Sequence, residues 1–178
     1  MGEEKELKIQ QEQLKVEVHQ TKRSSKTNFS YQMHTYLNNS IRFSDVKAAG
    51  ISGVNVTMFR LFFDPSTIQM SWKFLILGAS LIGLLVGIVF AILSIMPRFM
   101  EKKENGLIYW GSVADMTRED YIEAIKGAEG DHLLEELLSQ NYTLSLIAKK
   151  KFAMTKYAFL FSIVGYIFLI IGEVVKAL

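Results

Sequence analysis

The chain has 178 residues, the size of a single domain, and its 20 basic and 18 acidic residues nearly balance, so net charge indicates no class of partner. It contains no cysteine, which excludes disulfides, thiolate nucleophiles and zinc–thiolate sites. Hydrophobic residues make up 49% of the chain, but they are concentrated in stretches that a soluble domain would not need.

The N-terminal part, residues 1–47, predicts cytoplasmic helices. Residues 3–26 are charged and helix-prone, and they lack the apolar core of a signal peptide. Their apolar residues follow a coiled-coil-like spacing for only two heptads, which is too short to predict a coiled coil. From Phe29 onward apolar residues recur at helical spacing, and we expect this helix to run towards Ala48 and enter the membrane.

Residues 48–63 are a marginal candidate for a first transmembrane helix, because the stretch is short and carries Asn55 and Arg60. Three features favour insertion. A tight turn is predicted within an external connection at 64–73, small residues permit close helix packing, and Arg60 lies near the end, where it can reach the interface. The alternative is an interfacial helix, which would leave two spans.

Two further stretches are strong candidates for transmembrane helices. Residues 74–96 contain no charged side chain and would form roughly 34 Å of helix, slightly more than the ~30 Å hydrocarbon core of a bilayer. Residues 157–178 are of adequate length and uncharged up to Gly172.

Residues 97–156 are expected to form a small helical module. The apolar and aromatic run 107–113 predicts a strand or an extended piece. Thr117 begins a pattern similar to a capping box, and Asp131 is a suitable N-cap for the next helix. No proline follows Asp131, so we expect this last helix to continue into the third span as one rod, roughly 70 Å long, that couples the two halves.

The distribution of lysine and arginine predicts the orientation. Basic residues precede the first span, follow the second and precede the third, which places the N-terminus and residues 97–156 in the cytoplasm. The predicted fold class is therefore mainly α: a multi-pass membrane protein with three transmembrane helices and a small helical cytoplasmic module.

No catalytic constellation is present in the sequence. It has no glycine-rich phosphate loop, no paired-histidine metal motif and no Gly-x-Ser-x-Gly elbow, so we expect neither an enzyme nor a metal site. The acidic residues between 115 and 136 are typical of a solvated helix surface. Asn55, at membrane depth, either joins helices or lines a pore, and Arg60 is a second candidate of this kind or an interfacial anchor.

Candidate ligand-binding residues lie in the predicted cytoplasmic module. Basic clusters at 98–103 and 149–156 could bind lipid headgroups or a nucleotide phosphate. Aromatic side chains could stack on a base, although core packing explains them as well. The candidates are Lys102, Lys103, Trp110, Arg118 and Tyr121.

The order of several motifs resembles a known family. Ser44-Asp45-Val46-Lys47-Ala48-Ala49 is similar to the Asp-x-Lys-Ala signature that opens the Pycsar transmembrane effectors, with Ser44 in place of the usual alanine. Asp45 and Lys47 are thus the family-signature residues. The other similar stretches follow in order: Pro97-Arg98, 106–112, 117–121, and 140–145 leading to Lys150-Lys151. The resemblance covers about residues 30–178.

The resemblance implies a bacterial antiphage effector of the inner membrane. In such systems a pyrimidine nucleotide cyclase senses infection and makes cyclic CMP or cyclic UMP. This activating ligand leads the effector to impair the membrane, causing growth arrest or cell death, an abortive infection. The resemblance implies no other cofactor, no nucleic-acid partner and no particular ligand-binding residues.

Three spans cannot enclose a conduit alone, so damage to the lipid bilayer would require a homo-oligomer. We expect Asn55 and the small-residue face of the first span to form that contact. Two alternatives remain open: a membrane scaffold that needs no ligand, and a holin-like protein that disrupts membranes on expression alone.

Overall fold

The computed structural model describes residues 2–62, 72–96 and 106–177, with the backbone alone at 2–4, 8, 72–74 and 176–177. Within these ranges all regular secondary structure is helical, which confirms the mainly α prediction. The helices are α1 (Gly2–Phe62), α2 (Trp72–Ile95), α3 (Trp110–Val113), α4 (Arg118–Gly127) and α5 (Gly130–Ala177).

The short helices differ in one respect from the expected pattern. Residues 107–113 do not form a strand; they end in the single helical turn of α3, where the amides of Ser112 and Val113 both donate to the carbonyl oxygen of Tyr109. The cap of α4 is confirmed, since the amide of Asp120 donates to Thr117 Oγ1 at 3.1 Å.

The two long helices are continuous. α1 has 61 residues and includes the whole of the two helical stretches predicted between 3 and 48. α5 has 48 residues and runs without a break into the last apolar stretch, as the absence of proline predicted. It begins at Gly130, so Asp131 is in its first turn rather than at the N-cap, and its negative charge lies near the positive end of the helix dipole.

The chain forms two compact units, Met1–Leu37 with Met100–Leu144 (unit 1) and Asn38–Phe99 with Ser145–Leu178 (unit 2). In unit 1, α5 packs on α1 through Asn141, whose Nδ2 donates to the Ser30 carbonyl oxygen at 2.8 Å. Its Oδ1 lies 3.1 Å from His34 Nδ1. One acidic residue departs from the expected solvated surface: Glu136 is buried, and its Oε2 accepts the Leu107 amide at 2.8 Å.

In unit 2, the end of α1 packs with α2 and the second half of α5. Ala48, Ala91 and Ala158, one from each helix, are fully buried against one another. Such small side chains let helix backbones approach closely. The outward-facing surface of α2 and α5 is apolar. In the most apolar stretch of 18 residues in each helix, only 28% of the residues of α2 and 22% of those of α5 are buried. A core helix of a soluble domain would be mostly buried, so this surface fits contact with lipid.

Among the described residues two helices, not three, are long and apolar enough to cross a membrane, within Leu75–Ile95 and Gly130–Val175. The marginal third candidate, residues 48–63, is not among them; as far as Phe62 this segment forms the end of α1. Residues 64–71 of the predicted external turn lie outside the described residues, and residues 72–73 already belong to α2. Lys102, Lys103 and Pro97-Arg98 also lie outside the described residues.

Candidate functional site: a polar seam between apolar helices

Unit 2 contains a line of buried polar side chains between its three helices, which we call the polar seam. Each of its members is at most 7% exposed, although the outward faces of α2 and α5 are apolar. The members are Ser44 and Asn55 on α1, Ser80 and Ser94 on α2, and Lys151, Thr155 and Ser162 on α5. Polar groups inside a membrane bundle are costly and mark either helix contacts or water paths.

The spacing of buried residues on α5 explains why they share one face. From Lys151 to Leu169 they are alternately four and three residues apart, which is the heptad spacing of a coiled-coil seam. These buried residues of α5 are Lys151, Thr155, Ala158, Ser162, Gly165 and Leu169. A helix with this spacing keeps one stripe facing its neighbours over several turns.

One end of the seam is a charged layer. The buried ammonium group of Lys151, whose side chain is 6% exposed, donates to Asp45 Oδ1 at 2.5 Å. Ser94 Oγ donates to the Lys151 carbonyl oxygen at 3.2 Å and lies 2.8 Å from Thr155 Oγ1. Thr155 Oγ1 is also 2.9 Å from Ser44 Oγ. All three helices of unit 2 are therefore joined at this level by polar contacts.

The middle of the seam is organised around the fully buried Asn55. Its Nδ2 donates to Ser162 Oγ at 2.7 Å and to the Leu84 carbonyl oxygen at 3.3 Å. Its Oδ1 accepts the Tyr166 hydroxyl at 2.5 Å. One side chain of α1 thus holds both α2 and α5, and this geometry matches the helix-joining alternative for Asn55; the pore-lining alternative stays a prediction.

Close backbone contact between α2 and α5 continues the seam. Ser80 Oγ donates to the Gly165 carbonyl oxygen at 2.9 Å. A Cβ atom added at Gly83 would lie 2.9 Å from the Gly165 backbone, and one added at Gly87 would lie 2.5 Å from Ser162 Oγ. A side chain at either position of α2 would overlap atoms of α5, so both glycines allow the close approach at which the hydrogen bonds of the seam form.

Unit 1 carries a different feature, a groove between the first part of α1 and the start of α5, which we call the basic groove. His19, Lys22, Lys26 and Phe29 line it from α1, and acidic and leucine side chains line it from α5. Arg23 Nε lies 3.2 Å from Asp131 Oδ1 across the groove. Within the part of the chain that the structure describes, Lys22 and Lys26 have no ion-pair partner.

Comparison with known proteins identifies the family. A family model described as the Pycsar effector protein domain matches residues 29–175. The chain belongs to this family. The Pycsar effector protein SaPycTM of Staphylococcus aureus is 28% identical over 141 residues, which cover 79% of this chain and 89% of that protein. No solved structure matches the chain significantly.

The two family-signature residues have different environments in this Pycsar effector. Asp45 is the partner of Lys151 in the charged layer. Lys47 is exposed, and its Nζ lies 4.2 Å from the centre of the Phe43 ring, a cation–π contact. The aspartate of the signature therefore contacts the seam through Lys151, whereas the lysine does not.

The described candidate ligand residues of this effector lie on two short helices, Trp110 on α3 and both Arg118 and Tyr121 on α4. Trp110 is 66% exposed and its ring is tilted against Tyr109 at 5.6 Å. Arg118 is exposed, 3.8 Å from the neighbouring Glu119, and Tyr121 is half-buried on α4. No hydrogen bond or ring contact between described residues joins these three. Arg60, the second membrane candidate, is exposed at the end of α1.

Sequence reasoning did not single out most of the seam. It assigned Lys151 to a basic cluster that sets topology, and it treated the serine and glycine residues of α2 as part of a uniformly apolar stretch. The available signal was the heptad spacing of small and hydroxyl-bearing residues within both strong spans. When hydropathy is averaged over a whole helix that signal is lost, because serine, threonine and glycine have intermediate hydropathy values and lower the mean only slightly.

Proposed function

We propose that this chain is an antiphage membrane effector that is activated by cyclic CMP or cyclic UMP, oligomerises and impairs the inner membrane. Family membership supports a defence effector linked in general to a pyrimidine nucleotide cyclase. We also propose that the chain is not an enzyme, with its N-terminus and residues 97–156 in the cytoplasm, as its basic residues predict.

The polar seam is the observation that carries this proposal. A bundle that only anchors a protein needs no continuous polar interior, since each buried polar group in hydrocarbon is costly. In one chain the seam is closed, because its side chains are satisfied by each other. If several copies separate α1, α2 and α5 on assembly, the same groups become the lining of a hydrated path.

The end of α1 enters the bilayer as the third helix in this proposal, despite its modest hydropathy. Asn55 bonds to Leu84 and Ser162, which lie well inside the two apolar stretches. Ala48 packs against Ala91, inside the first apolar stretch, and against Ala158, at the start of the second. Polar groups of α1 form hydrogen bonds with polar groups of α2 and α5, so the groups that are paired in this way do not have to face lipid. The hydropathy of α1 taken alone therefore underestimates its tendency to insert into the membrane.

A test of membrane impairment uses co-expression with a pyrimidine nucleotide cyclase and entry of a membrane-impermeant dye. We expect the effector alone to be inert and dye to enter when the cyclase is active. Dye entry without the cyclase would favour the holin-like alternative, and no dye entry with it would favour the scaffold. Asn55→Leu should abolish dye entry, whereas Thr57→Val, an exposed position on the same helix, should retain it.

Fold controls keep this test decisive. Both variants should float with the membrane fraction and keep the helical circular dichroism of wild type, while Asn55→Leu should unfold at a lower detergent concentration because it loses the hydrogen bonds of Asn55. If Asn55→Leu is poorly folded, Ser162→Ala serves instead, because it removes one hydrogen-bond partner of Asn55 with a smaller change of side-chain size. Full dye entry in a folded seam variant would contradict the role of the seam.

For the nucleotide we propose the basic groove as the binding site. A cyclic mononucleotide has one negative phosphate and one aromatic base, which require a cation and a stacking face. Lys22 and Lys26 offer the cations, and Phe29, 66% exposed, offers the face within the same groove. No hydrogen bond or ring contact between described residues joins Trp110, Arg118 and Tyr121.

Isothermal titration of the detergent-purified chain with cyclic CMP and cyclic UMP tests this site. Loss of one charge-assisted contact costs about 1.5–3 kcal/mol, so Lys22→Ala with Lys26→Ala should weaken binding about tenfold or more. Lys149→Ala with Lys150→Ala, the same charge change on exposed α5 positions, should leave binding unchanged. If Arg118→Ala weakens nucleotide binding more than the Lys22 and Lys26 pair does, the site lies on α4 instead. If the folded protein binds neither nucleotide, activation by a nucleotide is refuted.

A further inference from the structure

A second groove lies on the outside of unit 2, between the end of α1 and α5, and has a volume of about 650 Å³. We call it the outer groove. Gly50 and Val54 of α1 and Phe159 and Ile163 of α5 form its apolar walls. Because Gly50 has no side chain, and a Cβ added there would meet nothing within 4 Å, the groove stays open at this point.

The hydroxyl groups that line the outer groove are already used by the polar seam. Tyr166 donates to Asn55, Ser162 donates to the Ala158 carbonyl oxygen, and Thr155 bonds to two serines. None of these groups needs a partner from a ligand. The groove therefore presents an almost purely apolar surface, suited to a hydrocarbon chain rather than a polar molecule.

One end of the outer groove is positively charged. α1 and α5 run parallel in unit 2, since Asp45 pairs with Lys151 and Asn55 with Ser162. Lys47 and Lys156 consequently lie at the same end, and both line the groove. Both are exposed, and neither forms an ion pair with a described carboxylate.

This charged end coincides with the start of an apolar stretch. The uncharged residues of α5 begin directly after Lys156 and continue beyond the groove. In a membrane, Lys47 and Lys156 would thus lie at the boundary between headgroups and hydrocarbon, where basic pockets between helices bind anionic headgroups. The apolar part of the groove would extend from there into the hydrocarbon.

We propose that the outer groove binds one anionic phospholipid, with an acyl chain along Val54 and Ile163 and the headgroup phosphate between Lys47 and Lys156. The proposal rests on the membrane insertion proposed above. A second copy of the chain fits less well, because a symmetric contact through this groove would bring the same two lysines of both copies together.

Native mass spectrometry of the full chain released from detergent tests this site, with equimolar phosphatidylglycerol and phosphatidylcholine that have identical acyl chains. At about 1 kcal/mol for each basic residue near an anionic headgroup, two lysines predict about a 30-fold preference for phosphatidylglycerol. Lys47→Gln with Lys156→Gln should abolish the preference. Lys149→Gln with Lys150→Gln, the same charge change on exposed positions of α5, should retain it.

A second variant tests the apolar part of the groove. Gly50→Phe fills the groove and should remove bound lipid of both kinds, with circular dichroism confirming the helical fold. Unchanged lipid binding in Gly50→Phe, or an equal loss of preference in both lysine pairs, would overturn the proposal. If Gly50→Phe instead converts a dimer to a monomer without changing lipid binding, the groove holds a second copy and the lipid site is wrong.

Flotation with vesicles of the same two lipids separates the possible failures. A chain that does not float with vesicles refutes the membrane insertion on which the proposal rests. A chain that floats but shows no lipid preference refutes the lipid site alone. We expect millimolar inorganic phosphate to leave the binding of phosphatidylglycerol unchanged, because the acyl chain contributes to the affinity. Full competition by phosphate would show a simple anion site and contradict the proposal.

Discussion

Replacement of Gly83 by alanine tests the contact that brings the seam together. The added Cβ would lie 2.9 Å from the Cα and N atoms of Gly165 and 3.2 Å from the Phe161 carbonyl oxygen. Ordinary contact begins at 3.4 Å, so α2 and α5 must separate by about 0.5 Å or more. All three neighbouring atoms are backbone atoms, and no side-chain rotation can relieve the overlap.

The cost of Gly83→Ala follows from two contributions. Overpacking of a close contact costs about 1–3 kcal/mol. Separation of the helices also lengthens the 2.9 Å bond from Ser80 to the Gly165 carbonyl oxygen, and such bonds between membrane helices contribute about 0.6 kcal/mol on average. Alanine recovers up to about 1 kcal/mol from its higher helix propensity, so the net loss of stability is about 0.6–2.6 kcal/mol.

Gly78→Ala is the matched control on the same helix. A Cβ there meets nothing within 4 Å, so only the gain in helix propensity applies. The two variants should therefore differ by about 1.6–3.6 kcal/mol in free energy of unfolding, measured by SDS titration in micelles with near-ultraviolet circular dichroism. If Gly83→Ala is as stable as Gly78→Ala, the two helices do not meet at Gly83 and Gly165.

The remaining predictions concern single polar groups, each followed by unfolding in micelles unless stated. Lys151→Met leaves the Asp45 carboxylate without its partner and should cost about 1.5–3 kcal/mol, whereas exposed Lys150→Met should stay within about 0.5 kcal/mol of wild type. The buried Ser52 hydroxyl has no hydrogen-bond partner among the described residues, so Ser52→Ala should not destabilise the chain. Ser94→Ala should cost about 0.6 kcal/mol or more, and equal effects of the two variants would contradict these assignments. Thr117→Ala should raise amide hydrogen exchange at the start of α4 by about fivefold, as expected for a lost cap of about 1 kcal/mol, and unchanged exchange would show that the cap is dispensable.

Local chemistry along the chain was sufficient to predict much of this protein. The cap at Thr117, the unbroken α5 and the two strong apolar stretches depend on neighbouring residues or on averages over one helix, and the structure agrees with each. Family membership also followed from the order of short motifs, and the family match over 29–175 confirms it. Each of these features can be recognised without knowing which helices meet.

Pairing between distant residues was decided only by the tertiary structure. The spacing on a helix determines which residues share a face, but it does not identify the face opposite. Lys151 lies beside exposed lysines in sequence, and only the position of α1 turns it into a buried partner of Asp45, 106 residues away. Asn55 similarly becomes a link to two helices because Gly87 leaves space for it. The burial of Asn55 depends on those partners, because a polar side chain is tolerated in an apolar bundle only where other helices satisfy its hydrogen bonds.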